Sequence, residues 1–146
     1  MAVLEMNEIS KILGGKKLLQ RDLRNGFDLI ELGSRGISKR ALMNLADYLQ
    51  LSPGRMAQLL SVSERTIQRY GPGDHFGRAV SEHILHIAEV AAKGVEVFED
   101  RDRFLKWLNQ PSIALSMETP INLLESRFGA DMVLDELGRM EHGILA

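Results

Sequence analysis

SPGRMAQLLSVSERTIQRYGPGD, from Ser52 to Asp74, decides how the chain is read. Ser52-Pro53 is a strong helix start. The serine hydroxyl can accept from the first turn, and proline's missing N–H costs nothing there. The helix is expected to run to about Leu60. Ser63 caps a second helix that ends near Tyr70, and Gly71-Pro72-Gly73 stops it. Between the two lies a hinge, Ser61-Val62-Ser63. Two short helices joined this way cross steeply, and their close approach requires a small residue inside the first; Ala57 supplies it. Met56, Leu60, Val62 and Ile67 fall where the pair must be apolar. The outer face of the second helix then shows Ser63, Glu64, Arg65, Thr66, Gln68 and Arg69. Arg can fork onto guanine, Gln onto adenine, and Ser or Thr can hold a phosphate or a base edge. The helix N-terminus adds free N–H groups. Glu64 is the discordant member, because a carboxylate repels phosphate, although it can accept from cytosine.

The flanking sequence is helical in pattern as well. Leu, Ala, Met, Glu, Arg and Lys dominate, and Val and Ile rarely alternate. Upstream, Ser38 is a plausible cap for a helix with Leu42, Leu45, Ala46 and Leu49 on one face. A weak helix over Val3–Leu13 ends at Gly14-Gly15, a short one follows over Lys16–Asn25, and Asp28–Gly36 reads as irregular. Downstream, a long helix from about Asp74 to Val97 carries the stripe Val80, Ile84, Ile87, Ala88, Ala91 and Val95. A helix bearing Phe104, Leu105, Trp107 and Leu108 ends at Pro111. Thr119-Pro120 opens another through Leu123 and Leu124, and Arg127–Gly129 reads as a break. A last helix over Ala130–His142 turns Val133, Leu137 and Met140 inward, with Gly143 at its C-terminal end. Trp107 and most of the methionines are read as core. The expected architecture is all-α: a helix-turn-helix region over 1–73 and a small helical domain over 74–146, parted at Gly71–Asp74.

The chain has 146 residues, enough for one domain or two small ones. With 45% apolar and 26% charged residues it is expected to fold. It contains no cysteine, which removes disulfides, thiolate nucleophiles and zinc–thiolate sites and suits a reducing cytoplasm. No apolar run reaches membrane-spanning length, and MAVLEMNEISK lacks the cationic and continuous apolar parts of a secretory signal. The net charge of −2 divides unevenly: residues 1–75 carry 11 basic and 8 acidic side chains, 11 − 8 = +3, and residues 76–146 carry 7 and 12, 7 − 12 = −5. A basic front and an acidic back suggest two different partners. A charge of +3 is thin for a DNA binder, since counterion release supplies most of the affinity, so a homodimer is expected on DNA.

Catalytic and metal chemistry find little support, and no cofactor is expected. His83 and His86 stand i, i+3 with Glu82 and Glu89 nearby, but a third convincing ligand is missing. Lys11 to Lys17 surround Gly14-Gly15 without the full phosphate-loop pattern. No Gly-flanked nucleophilic serine occurs.

Ser52–Tyr70 resembles the helix-turn-helix of the Xre/lambda-repressor-like regulators. It departs at Ser61, a hinge position often held by glycine, because serine tolerates a left-handed backbone less well. The stretch FLKWLNQPSIALSMETPINLLESRFGADMVLDELGRMEHGILA adds an ordered pattern. A Trp helix ends in Asn109-Gln110-Pro111, Thr119-Pro120 leads into a Leu-Leu helix, and a final helix runs through Gly129, Val133, Leu137 and Arg139 to Gly143. That order is similar to the toxin-binding domain of the Xre/MbcA/ParS-type antitoxins, with Ile121-Asn122 between Pro120 and Leu123 as a small departure. The likeness covers about residues 80–146 and, joined to the front half, most of the chain.

The resemblance implies the antitoxin of a type II toxin–antitoxin pair. Its cognate toxin would be a RES-domain, NAD-consuming protein, held inactive by a block on its active-site cleft. The antitoxin would repress its own operon by binding operator DNA. The toxin-binding positions implied are Arg139, Glu141, His142, Gly143, Ile144, Leu145 and Ala146. An acidic back half matches a cleft that binds a phosphate-bearing dinucleotide, and a short apolar tail ending in a carboxylate could meet an arginine there. The residues alone also fit a one-component helix-turn-helix regulator whose back half senses a small ligand, or an adaptor whose helix-turn-helix no longer reads DNA.

Overall fold

A computed structural model of the chain describes residues 3–143. Its helices are α1 (Val3–Leu13), α2 (Lys16–Leu19), α3 (Gly26–Arg35), α4 (Lys39–Tyr48), α5 (Pro53–Leu59), α6 (Glu64–Gln68), α7 (Arg78–Phe98), α8 (Arg101–Leu108), α9 (Pro120–Leu123) and α10 (Arg127–Glu141). A 3-10 turn, Ile113–Leu115, joins α8 to α9. The fold is all-α: the described residues include no strand, only isolated bridges at Ser38–His75 and Ser112–Glu118. No described helix is long and apolar enough to cross a membrane.

The serine caps govern the central helices as their spacing predicts. Ser38 accepts from Ala41 N–H, Ser52 from Arg55 N–H and Ser63 from Thr66 N–H, each satisfying a first-turn donor that the helix itself cannot. Four boundaries differ from the sequence reading. Lys16–Asn25 is helical only to Leu19, and of Asp28–Gly36 all but the capping Gly36 lies in a regular helix rather than an irregular segment. That helix, α3, opens on a capping box: Asn25 accepts from Asp28 N–H, and the Asp28 carboxylate accepts from Asn25 N–H. The Asp28 carboxylate also accepts from Arg24 N–H and the Arg21 guanidinium, and these bonds, Arg24 foremost, hold its pKa below the usual value. The long helix starts at Arg78, not Asp74, because Asp74 closes the preceding turn by accepting from Gly71 N–H at 2.7 Å. Arg127–Gly129 is the first turn of α10, capped by Ser126. Gly129 breaks nothing; it lets α10 pass so close to Leu123 that a Cβ would run into the Leu123 carbonyl.

The turn at 71–74 is stitched onto α4. Lys39 N–H donates to the Asp74 carbonyl and Arg40 N–H to the Pro72 carbonyl, both at 3.0 Å, and Phe76 N–H donates to Ile37 at 2.9 Å. These bonds satisfy the start of α4 and fix where α6 ends. Phe76 stacks on Tyr70 with ring centroids 4.4 Å apart. Beneath the turn, the buried Ser81 hydroxyl accepts from Ile37 N–H at 2.8 Å and donates to the Phe76 carbonyl at 3.1 Å.

The spine of the molecule is α7. It packs on α1 and α3 from the front half and on α8 and α10 from the back. Four of the six residues of the predicted stripe, Ile84, Ile87, Ala88 and Ala91, are buried, Val80 and Val95 are half-buried, and one apolar core runs from Met6 to Leu137. Arg101 adds a polar tie: it donates to the Tyr48 and Asp47 carbonyls at the end of α4 and lies 5.0 Å from the Tyr48 ring centroid. Tyr48 in turn has its pKa raised, chiefly by burial.

At the α7–α8 crossing, Gly94 lies directly under the Phe104 ring, where a Cβ would clash with ring carbons. Trp107, half-buried, completes a cluster with Phe98 and Phe104 at 5.7 and 6.4 Å. Gly94→Ala is therefore expected to lower stability by about 2 kcal/mol despite alanine's better helix propensity. Urea unfolding measures it, and a stability equal to or above that of the parent would show that the aromatic cluster yields.

Candidate nucleic-acid interface and partner surface

The crossing of α5 and α6 is built on Met56, Ala57, Leu59, Leu60 and Ile67, all buried. Ser61 turns the chain between them with φ +57°, the left-handed conformation that glycine adopts at no cost. Ser61→Gly is expected to stabilise the protein by about 1 kcal/mol and to raise Tm by about 2–4 °C, with DNA affinity unchanged. An unchanged or lower Tm in differential scanning calorimetry would show that the serine is not strained.

The six reading positions do not play equal parts. Ser63 and Thr66 hydroxyls bond to each other at 2.8 Å, and Ser63 also holds Thr66 N–H, so both are engaged in starting the helix. Glu64 is turned back toward the start of α5, its Oε1 lying 3.0 Å from where a Gly54 Cβ would stand. Its other oxygen accepts from Gln68 Nε2 at 3.5 Å. That arrangement removes part of the conflict between a carboxylate and a phosphate-facing edge. Arg65 and Arg69 are exposed, one helical turn apart on α6, and among the described residues neither forms an ion pair. These two guanidiniums are the chemically available part of the edge. Lys39 is not free in the same way: its Nζ donates to the Tyr70 carbonyl at 2.8 Å and braces the end of the reading helix.

The second surface lies at the other end of the chain. Arg139 Nε donates to the nearly buried Glu136 at 2.8 Å. Glu141 is held by Lys93 Nζ at 2.5 Å. The Lys93 bond, then the Glu96 bond, keeps the Glu141 carboxyl below its usual pKa. Burial and the same shared bond push Glu96 up. Burial alone would lower Lys93, but the bond and charge of Glu141 outweigh it and raise its pKa. The end of α10 is thus fastened to α7. His142 is exposed, and Gly143, at φ +71°, turns the chain out of the helix. Ile144, Leu145 and Ala146 lie outside the described residues.

His83 and His86 fasten the same region from below. His83 Nε2–H donates to the Leu124 carbonyl and His86 Nε2–H to Asp131, both at 2.8 Å. They point to different partners on α9 and α10, and no cluster of three or more His, Asp or Glu suited to a metal occurs among the described residues.

The sequence reading missed an exposed apolar strip. Phe128 and Met132 stand i, i+4 on the outer face of α10, 85% and 49% exposed. Ile113 and Met117, 86% and 61% exposed, project from the 3-10 turn that packs on α10. Two of these are methionines, a residue type read as mostly core. Their only signal in sequence was negative: Phe128 and Met132 fall off the Val133–Leu137 stripe. Large side chains left in water at this density mark contact surfaces.

Comparison with known proteins matches two stretches of the chain. Residues 28–89 match the antitoxin Xre-like helix-turn-helix domain. Residues 93–143 match the antitoxin Xre/MbcA/ParS C-terminal toxin-binding domain. Two relatives named antitoxin Xre align over most of their length. The one from Yersinia enterocolitica serotype O:8 / biotype 1B is 25% identical over 123 residues, 83% of each chain. The one from Photorhabdus laumondii subsp. laumondii is 24% identical over 124 residues, 84% of each chain.

Proposed function

The chain belongs to the Xre/MbcA/ParS-type antitoxin family, and on that premise we propose that it neutralises a RES-domain, NAD-consuming toxin and represses its own operon. One observation carries the reading. One packed core holds the helix-turn-helix, where Arg65 and Arg69 stand exposed without ion pairs among the described residues, together with α10, which carries the exposed Phe128 and Met132. The first end suits a polyanion and the second a protein. The toxin contacts are Ile113, Met117, Phe128 and Met132, together with the terminal positions Arg139 to Ala146. Hydrophobic anchors supply the affinity, and the −5 charge of residues 76–146 steers the encounter with a basic cleft. The tail beyond α10 enters that cleft and blocks the substrate. The antitoxin performs no catalysis in this scheme.

On DNA the protein acts as a homodimer, region 1–73 facing the duplex and region 74–146 the toxin. Two copies of α6 read successive half-sites, and the thin +3 charge of each front half is doubled.

The test is co-expression with the protein of the neighbouring reading frame. That protein alone is expected to deplete cellular NAD and stop growth; the pair is expected to grow and to copurify. A neighbour that is harmless alone and does not bind overturns the reading. Removing residues 143–146 separates the tail from the strip. Neutralisation is expected to weaken about tenfold, the worth of one lost charge-assisted contact, with DNA binding unchanged. Full neutralisation by the truncated chain removes the tail from the blocking step.

A further inference from the structure

Arg55 is absent from the reading edge, yet it reaches from α5 to the toxin-binding domain. Its Nη1 donates to Gln58 at 2.8 Å, and its Nη2 donates to the Asn122 side-chain carbonyl on α9. Arg55 is half-buried and Asn122 exposed. The start of α5 adjoins the start of α6, as the contact between Gly54 and Glu64 shows. In a helix-turn-helix the first helix crosses the DNA backbone while the second enters the groove. Arg55, in the first turn of α5, is therefore placed on the phosphate side of a docked duplex.

Both of its present acceptors are neutral amides. A phosphate carries a full negative charge and can take two guanidinium N–H groups at once, so a duplex outcompetes the neutral amides. We propose that Arg55 is a phosphate-binding residue of the DNA interface, parked on Asn122 in the free protein. The proposal rests on the DNA-binding reading above and adds a link between the two surfaces. Asn122 sits on α9, within the stretch that matches the toxin-binding domain.

The experiment is fluorescence anisotropy of the full-length protein on the duplex upstream of its own reading frame, repeated across salt. Arg55→Gln is expected to weaken binding roughly fivefold per half-site at physiological salt and to lower the salt slope by about one per half-site. Asn122→Ala removes the competing acceptor and is expected to tighten binding about two- to fivefold, the worth of an exposed hydrogen bond. Asn122→Asp holds the guanidinium more firmly and is expected to loosen it. The Asn122→Ala gain is expected to vanish when Arg55→Gln is already present, which a general change in surface charge would not produce. Operator binding that Arg55→Gln leaves unchanged, or an Asn122→Ala gain that survives it, overturns this inference alone. Absence of salt-dependent binding by the unaltered chain overturns the DNA reading and this inference with it.

Discussion

Replacing Arg65 and Arg69 together by alanine is expected to weaken operator binding about 100-fold. Each guanidinium is exposed on α6 with no intramolecular ion pair among the described residues, so nothing in the protein competes for it. An arginine forked onto a guanine contributes about 1–3 kcal/mol, and two at about 1.4 kcal/mol each give two orders of magnitude. The mode of contact is separable. A lost phosphate contact lowers the salt slope by about one and weakens all sequences alike, whereas a lost base contact relaxes preference at one position. Stability is expected to stay within about 0.5 kcal/mol, because neither side chain packs. Toxin capture is expected to remain intact. If affinity and slope both match the parent protein, α6 is not the reading helix, and the adaptor reading takes its place.

The second large effect concerns the opposite surface. Phe128→Asp with Met132→Asp is expected to raise the Kd for the toxin at least 100-fold and to abolish rescue of growth, while operator affinity holds. Apolar anchors at the centre of an interface each cost about 2 kcal/mol or more on truncation. A carboxylate adds the desolvation of a buried charge. Phe128 is 85% exposed, so its replacement leaves no cavity in the free protein and the fold is expected to survive. The substitution would even improve solubility, which makes loss of binding distinguishable from loss of structure. Isothermal titration calorimetry reads the Kd, and circular dichroism checks the helix content. A Kd within threefold of the parent places the toxin elsewhere on the domain.

The two effects are predicted to be independent in sign but not isolated in space. The α7 spine and the Arg101 tie to α4 make the front and back halves one packed body. A rigid connection of this kind lets one site bias another without a hinge. Gly94 under Phe104 lies at the back of that connection, so its replacement tests the spine rather than either surface.

Local chemistry sufficed for the central helices. Ser38, Ser52-Pro53 and Ser63 each satisfy an orphan N–H within three residues. Such signals need no partner element, and they can be read from a string of letters. The placement of Arg65 and Arg69 on the outer face followed from helical periodicity once Ile67 had to be inside. Ser61 stood out only against the family pattern, in which that hinge position is often glycine; its left-handed φ of +57° came from the structure.

Tertiary structure decided the rest. Gly33 and Gly36 argue against a helix at α3, and the capping box of Asn25 and Asp28 went unread. The helix forms because it can pack on α7, with Gly33 admitting the Glu82 side chain. The start of α10 hid behind Gly129, whose missing Cβ is a demand of the neighbouring Leu123 carbonyl and not of the local chain. Whether Phe128 and Met132 are core or contact surface, and whether Arg55 is free or held by Asn122, depends on elements distant in sequence. The letters determine which groups a segment can satisfy by itself; burial and pairing across the chain depend on which surfaces meet, and that is fixed only when the whole core closes.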